Sequence, residues 1–78
     1  MSQHKVLAFK GVFEKLSARE RQIVIEIINE KQVIEIADLL NLKSNTISTF
    51  KKNIYFKLRV YSEIGIVKLA IKEGVIKL

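Results

Sequence analysis

Apolar positions along the chain recur mostly at the spacing of a helix. Ile23 and Ile27, and beside them Val24 and Ile28, fall four apart, which places them on one helical face. Ile and Val also favour strands, so IVIEII and VIEIA are ambiguous by propensity alone. The capped start decides for a helix: Ser17 followed three residues later by Glu20 is a capping box, so the first helix is expected to start at Ala18 and run to about Asn29. After the polar connection Asn29 to Gln32, a second helix is expected over Val33 to Leu40, burying Ile36, Ala37 and Leu40. Asn41 stands where a left-handed residue is wanted, and Ser44 or Asn45 is placed to cap a third helix, about 45–58. Ser62 can cap a fourth helix from about Glu63 to Glu73, and Gly74 fits its stop. The pattern predicts an all-α domain of four helices containing a helix-turn-helix.

Projection at about 100° per residue divides the third helix into two sides. Ile47, Ile54 and Leu58 form its core face, with Phe50 and Lys51 at the margins. Asn45, Ser48, Thr49, Lys52, Asn53 and Phe56 collect on the other side, so short hydrogen-bonding groups surround one ammonium. A solvating surface usually mixes long side chains of both signs. This one does not, and such groups can reach base edges in a DNA groove.

Charge sharpens that picture. The chain carries a formal net charge of +6, and no acidic residue lies between Asp38 and Glu63, where Lys43, Lys51, Lys52, Lys57 and Arg59 fall. A short, polar-faced, cationic helix held against an apolar partner is what a reader of the major groove requires. The expected base contacts are Asn45, Ser48, Thr49, Lys52 and Asn53, and the expected phosphate contacts read from the chain itself are Lys43, Ser44 and Lys51.

With 78 residues the chain has room for one small domain. It has no cysteine, and the lone His4 lies near the terminus, so no metal centre or cofactor is expected. No nucleophile and base pair, paired carboxylates or Gly-rich phosphate loop supports catalysis. No signal peptide or membrane-length apolar run occurs, and a soluble cytoplasmic protein without membrane partners is expected. Residues 1–15 read as an N-terminal tail or linker, with Val12 and Phe13 able to dock on the core; Met1 to Lys5 are expected to be disordered or an expression-derived extension. The domain proper is 16–78.

Helix four carries Ile64, Ile66, Val67, Leu69, Ala70 and Ile71, more apolar side chains than one stripe facing a small core would use. A symmetric dimer is the commonest way to cover such a surplus. Val67, Lys68 and Ile71 are the expected contact residues.

Leu16-Ser17-Ala18-Arg19-Glu20-Arg21, then Glu35-Ile36-Ala37, Leu42, Thr46-Ile47, Lys57-Leu58, Val60, Ser62 and Leu69-Ala70, together resemble the LuxR/NarL/FixJ family of helix-turn-helix domains, ungapped from Leu16 to Ile76. The resemblance implies a DNA-binding transcriptional regulator, the effector half of a two-component response regulator whose receiver domain is missing. It also implies dimerisation through the last helix, and it admits RNA polymerase as a partner. By position, the family's base-contacting residues fall on Ser48, Thr49 and Lys52, and its usual Thr and late Lys, which touch or support phosphate contacts, fall on Thr46 and Lys57. Arg19 and Glu20 match its Arg-Glu pair, with a structural role the expected one here. The chain departs from the pattern at Glu30, Gln32, Val33 and Ile34, where the family usually has Gly, Ser or Thr, and Asn-Lys. Asn41 replaces the turn glycine, Lys43 the serine after Leu42, and Gly65, in place of an acidic capping residue, is expected to weaken the start of helix four. Phe56 stands where a polar or basic residue is usual. Two other readings accompany this one: a sigma-factor region-four-like module, against which the fourth helix argues, and a protein-interaction adaptor without DNA binding.

Overall fold

Ser17 and Glu20 satisfy each other's backbone at the start of the first helix, α1 (Ala18–Ile28): Ser17 Oγ accepts from the Glu20 amide at 3.2 Å, and Glu20 Oε1 accepts from the Ser17 amide at 2.7 Å. The structure, a computed structural model, describes Val6 and residues 8–77. It contains α1, α2 (Val33–Leu40), α3 (Ser44–Leu58) and α4 (Glu63–Lys72), preceded by a 3-10 turn, Gly11–Lys15. The segment IVIEII is helical, as its spacing and cap require. Expectations for Met1 to Lys5, His4 included, lie outside the described residues. No described helix is long and apolar enough to cross a membrane.

The core is built from Ile23, Val24, Ile27 and Ile28 of α1, Ile36 and Ala37 of α2, Ile47, Ile54 and Leu58 of α3, and Ile66 and Ala70 of α4. α3 packs on α2, α1 and the 3-10 turn, while α4 packs on α1. α2 therefore holds α3 from behind and leaves its polar side free. Two caps differ in quality. Ser62 Oγ accepts from the Gly65 amide at 3.2 Å at the head of α4, whereas α3 begins one residue earlier than expected. Its N-cap is Lys43, without a side-chain cap bond; Ser44 already lies inside the helix, so neither Ser44 nor Asn45 caps it.

All four helices end alike, with a left-handed residue and a bond from the following amide back to the carbonyl five residues earlier. Lys31 donates to Glu26 O, Leu42 to Ala37 O, Val60 to Tyr55 O and Val75 to Ala70 O, at 2.8–3.0 Å. The left-handed residues are Glu30, Asn41, Arg59 and Gly74 (φ 63°, 56°, 57° and 77°). This is the Schellman arrangement, which satisfies carbonyls otherwise left open at a helix end. Asn and Gly tolerate it, but Glu30 and Arg59 place a Cβ against the following carbonyl. Glu30→Gly should accordingly raise stability by about 0.5–1 kcal/mol, relief of left-handed strain outweighing the larger entropy loss of glycine. A urea titration in which the variant unfolds at or below the wild-type midpoint would contradict this.

The start of the chain is not a loose tail throughout. Phe13 is fully buried, its ring centroid 6.3 Å from that of Phe9, and the Arg21 guanidinium lies over the Phe9 ring at 5.3 Å. Arg21 Nη2 donates to Glu14 O at 3.2 Å, and the Val12 amide donates to Glu73 Oε1 at 3.3 Å. An isolated antiparallel bridge joins Val6 to Ile76. Residues from both ends of the chain thus close over the end of α4. Gly65 has a packing reason as well, because a Cβ there would sit 2.9 Å from Val60 Cβ.

Candidate nucleic-acid interface

α3 presents Asn45, Ser48, Thr49, Lys52 and Asn53 on one exposed side, with Ile47, Ile54 and Leu58 buried on the other. The division follows from residues three and four apart sharing a face. The Thr49 hydroxyl donates to Asn45 O at 3.1 Å, so it offers a partner its lone pairs and its methyl group. Lys52 is exposed and belongs to none of the ion pairs among the described residues. At the head of α3, Lys43 and Ser44 are exposed and Thr46 is half-buried. The first-turn amides there have no side-chain cap and remain open to an acceptor such as a phosphate.

Lys51 and Lys57 are placed differently from what was expected of phosphate contacts. Lys51 Nζ pairs with Glu63 Oε2 at the head of α4, and Lys57 Nζ pairs with Glu20 Oε1 at 2.8 Å. Burial acts to lower the Lys51 pKa, but the hydrogen bond and charge of Glu63, with a further contribution from Tyr55, hold it above the ordinary lysine range. Burial likewise acts to raise the Glu20 pKa, and the Lys57 hydrogen bond, the Ser17 bonds and the Lys57 charge more than reverse it. Both lysines are therefore fixed by intramolecular carboxylates. Of the five cations expected to form one patch, Lys43, Lys52 and Arg59 are exposed and outside these pairs.

α4 also leaves apolar surface uncovered. Ile64, Val67, Lys68 and Ile71 recur three and four apart along it; Ile64 is 66% exposed and Ile71 37% exposed, while Val67 is half-buried against the core. Ile64, Val67 and Lys68 line an open groove of about 870 Å³ facing Ile28, Lys31 and Val33. Ile64 was not among the expected contact residues. Its place four before Lys68 and seven before Ile71 is the signal that could have found it.

Residues 14–70 match the family model for bacterial regulatory proteins of the luxR family. The chain belongs to that family. α2 and α3 are thus the helices of a luxR-family helix-turn-helix, and DNA-binding regulation of transcription is the function class that membership carries. Among similar proteins, the response regulator UvrY of Escherichia coli (strain K12) is 33% identical over 74 residues, covering 95% of this chain and 34% of UvrY. The response regulator GacA of Pseudomonas aeruginosa is 36% identical over 64 residues, covering 82% of this chain and 30% of GacA. The chain thus spans about a third of the length of these relatives. No solved structure matches it with significance.

Proposed function

We propose that this luxR-family chain is a sequence-specific reader of double-stranded DNA that lays α3 in the major groove and acts as a dimer in regulating transcription. The observation that carries the reading is the uninterrupted exposed stripe Asn45, Ser48, Thr49, Lys52 and Asn53, free of acidic residues and backed by a buried apolar face. Its groups are of the kind that pair with base edges. Phosphate contacts fall to Lys43, Ser44, Thr46 and the open amides at the head of α3, with Lys51 and Lys57 committed mainly to Glu63 and Glu20. α4 supplies the two-fold contact through Ile64, Val67, Lys68 and Ile71, bringing two copies of α3 to successive half-sites. The UvrY and GacA relatives are response regulators, and the chain matches only about a third of each, which supports a role as the effector part of such a regulator, in the cytoplasm.

Lys52 is the critical test. Its ammonium projects from the centre of the stripe and fits guanine O6 or N7. Lys52→Ala should cost about 1–3 kcal/mol at the preferred site and relax discrimination at one base position while leaving the fold intact. Sites are first selected from a random duplex pool and then measured one substitution at a time. Uniform weakening across all sequences would make Lys52 a phosphate contact, and failure of the wild type to prefer any duplex over heparin would sink the DNA-reading function.

A further inference from the structure

The exposed stripe of α3 does not stop at Asn53. Ser48, Lys52 and Phe56 are spaced four apart, so Phe56 continues the same line for one more turn, and it is 85% exposed. It is the only carbon-only side chain on a face otherwise made of amides, hydroxyls and an ammonium. The domain has room for such rings elsewhere: Phe13 is fully buried, and Phe9 and Phe50 pack against the core.

The surroundings of Phe56 indicate what it meets. It lines an open hollow of about 640 Å³ with Lys15, Tyr55, Lys57, Arg59 and Tyr61. Lys15 and Arg59 are exposed and outside the ion pairs of the described residues, and none of the described residues lining the hollow is acidic. A cationic rim around an aromatic ring favours a polyanion that also offers an apolar group. The major groove has one such group, the C5-methyl of thymine, and phenylalanine is among the side chains that contact it.

We infer that Phe56 is a specificity-determining residue that reads thymine through its C5-methyl group, with Lys15 and Arg59 holding phosphates beside it. The inference rests on the DNA-reading function proposed above. Four residues of helix advance about 6 Å, so the thymine lies about two base pairs from the pair that Lys52 contacts. Lys52 and Phe56 together then impose a polar and an apolar requirement at a fixed spacing in each half-site.

Deoxyuridine isolates the methyl group without changing base pairing. In a duplex selected by the wild-type protein, each thymine is replaced in turn by deoxyuridine, and binding is measured for wild type and Phe56→Ala. One position per half-site should lose about fourfold in wild-type affinity, the worth of one buried methyl, and Phe56→Ala should bind both duplexes equally there. Lys15→Ala and Arg59→Asn, the latter keeping a residue that tolerates the left-handed backbone, should weaken all sequences alike and each reduce the salt slope by about one. Indifference of the wild type to deoxyuridine at every position would overturn the inference, as would a Phe56→Ala variant with undiminished thymine sensitivity. Neither result would touch the DNA-reading function, which fails only if the wild type prefers no duplex at all, taking the inference with it.

Discussion

Lys57→Met should destabilise the domain at neutral pH by about 1–3 kcal/mol, because it leaves the Glu20 carboxylate in place without its cation. The Glu20 side chain is only 5% exposed, and its Oε1 accepts from both Lys57 Nζ and the Ser17 amide. Methionine keeps the apolar stem, so the loss isolates the charge and not the packing. The figure stays below that for a fully buried pair because the Lys57 side chain is 39% exposed. The pH dependence has a definite sign. Glu20 has a folded-state pKa below its ordinary value of 4.5, so the pair's contribution is fully present above that value and is lost as pH falls through the folded pKa. The gap between wild type and Lys57→Met should therefore be full at pH 7 and close in strong acid. Adding Glu20→Gln to Lys57→Met should recover much of the loss, since glutamine still accepts from the Ser17 amide and carries no charge. Urea denaturation of the four proteins of this cycle decides it. A Lys57→Met variant as stable as wild type, with a shallower salt dependence of DNA binding, would make Lys57 a phosphate contact after all.

The fold was legible wherever a local rule was strong. The Ser17 and Glu20 capping box, the left-handed Asn41, the Ser62 cap and Gly74 all lie where residue type alone dictates backbone geometry. Glu30 and Arg59 were not legible, because nothing in a glutamate or an arginine announces a left-handed residue. What holds them there is the closing bond of the following amide and, after Arg59, the packing of Val60 against the core. Phe13 was legible only as able to dock on the core, not as fully buried in it. Its sequence neighbours show no repeat, and its burial depends on α3 and on the terminal residues Val75 and Ile76, which join it in the same core.

The candidate site divides in the same manner. Helical period was enough to place Asn45, Ser48, Thr49, Lys52 and Asn53 together on the exposed side of α3, since a face follows from spacing along one element. Charge counted along the chain was a poorer guide to charge in space. No carboxylate lies at helical spacing from these lysines, and the actual partners are far along the chain: Glu63 is 12 residues from Lys51 and Glu20 is 37 residues from Lys57. Both partners come from other helices, and only the tertiary packing brings them near. The same packing leaves Phe56 bare on the side where the helical period places it, although a polar or basic residue is usual there.

The largest change in DNA affinity should come from charge placed on α4. Ile64 and Ile71 are the residues to use, because Val67 is half-buried against the core and a glutamate there would test folding as much as association. In the proposed two-fold contact, Ile64→Glu and Ile71→Glu would each set a carboxylate against its own symmetry mate, where repulsion and desolvation oppose pairing together. Both variants should keep wild-type helicity by circular dichroism and sediment as monomers where the wild type is dimeric. Binding to a single half-site should be unchanged. Binding to a full two-half-site operator should fall by about a hundredfold or more, because the second contact ceases to be intramolecular. Folded variants that still dimerise and still bind the full operator at wild-type strength would remove α4 as the interface, and the exposed Ile64 and Ile71 would then require a different partner.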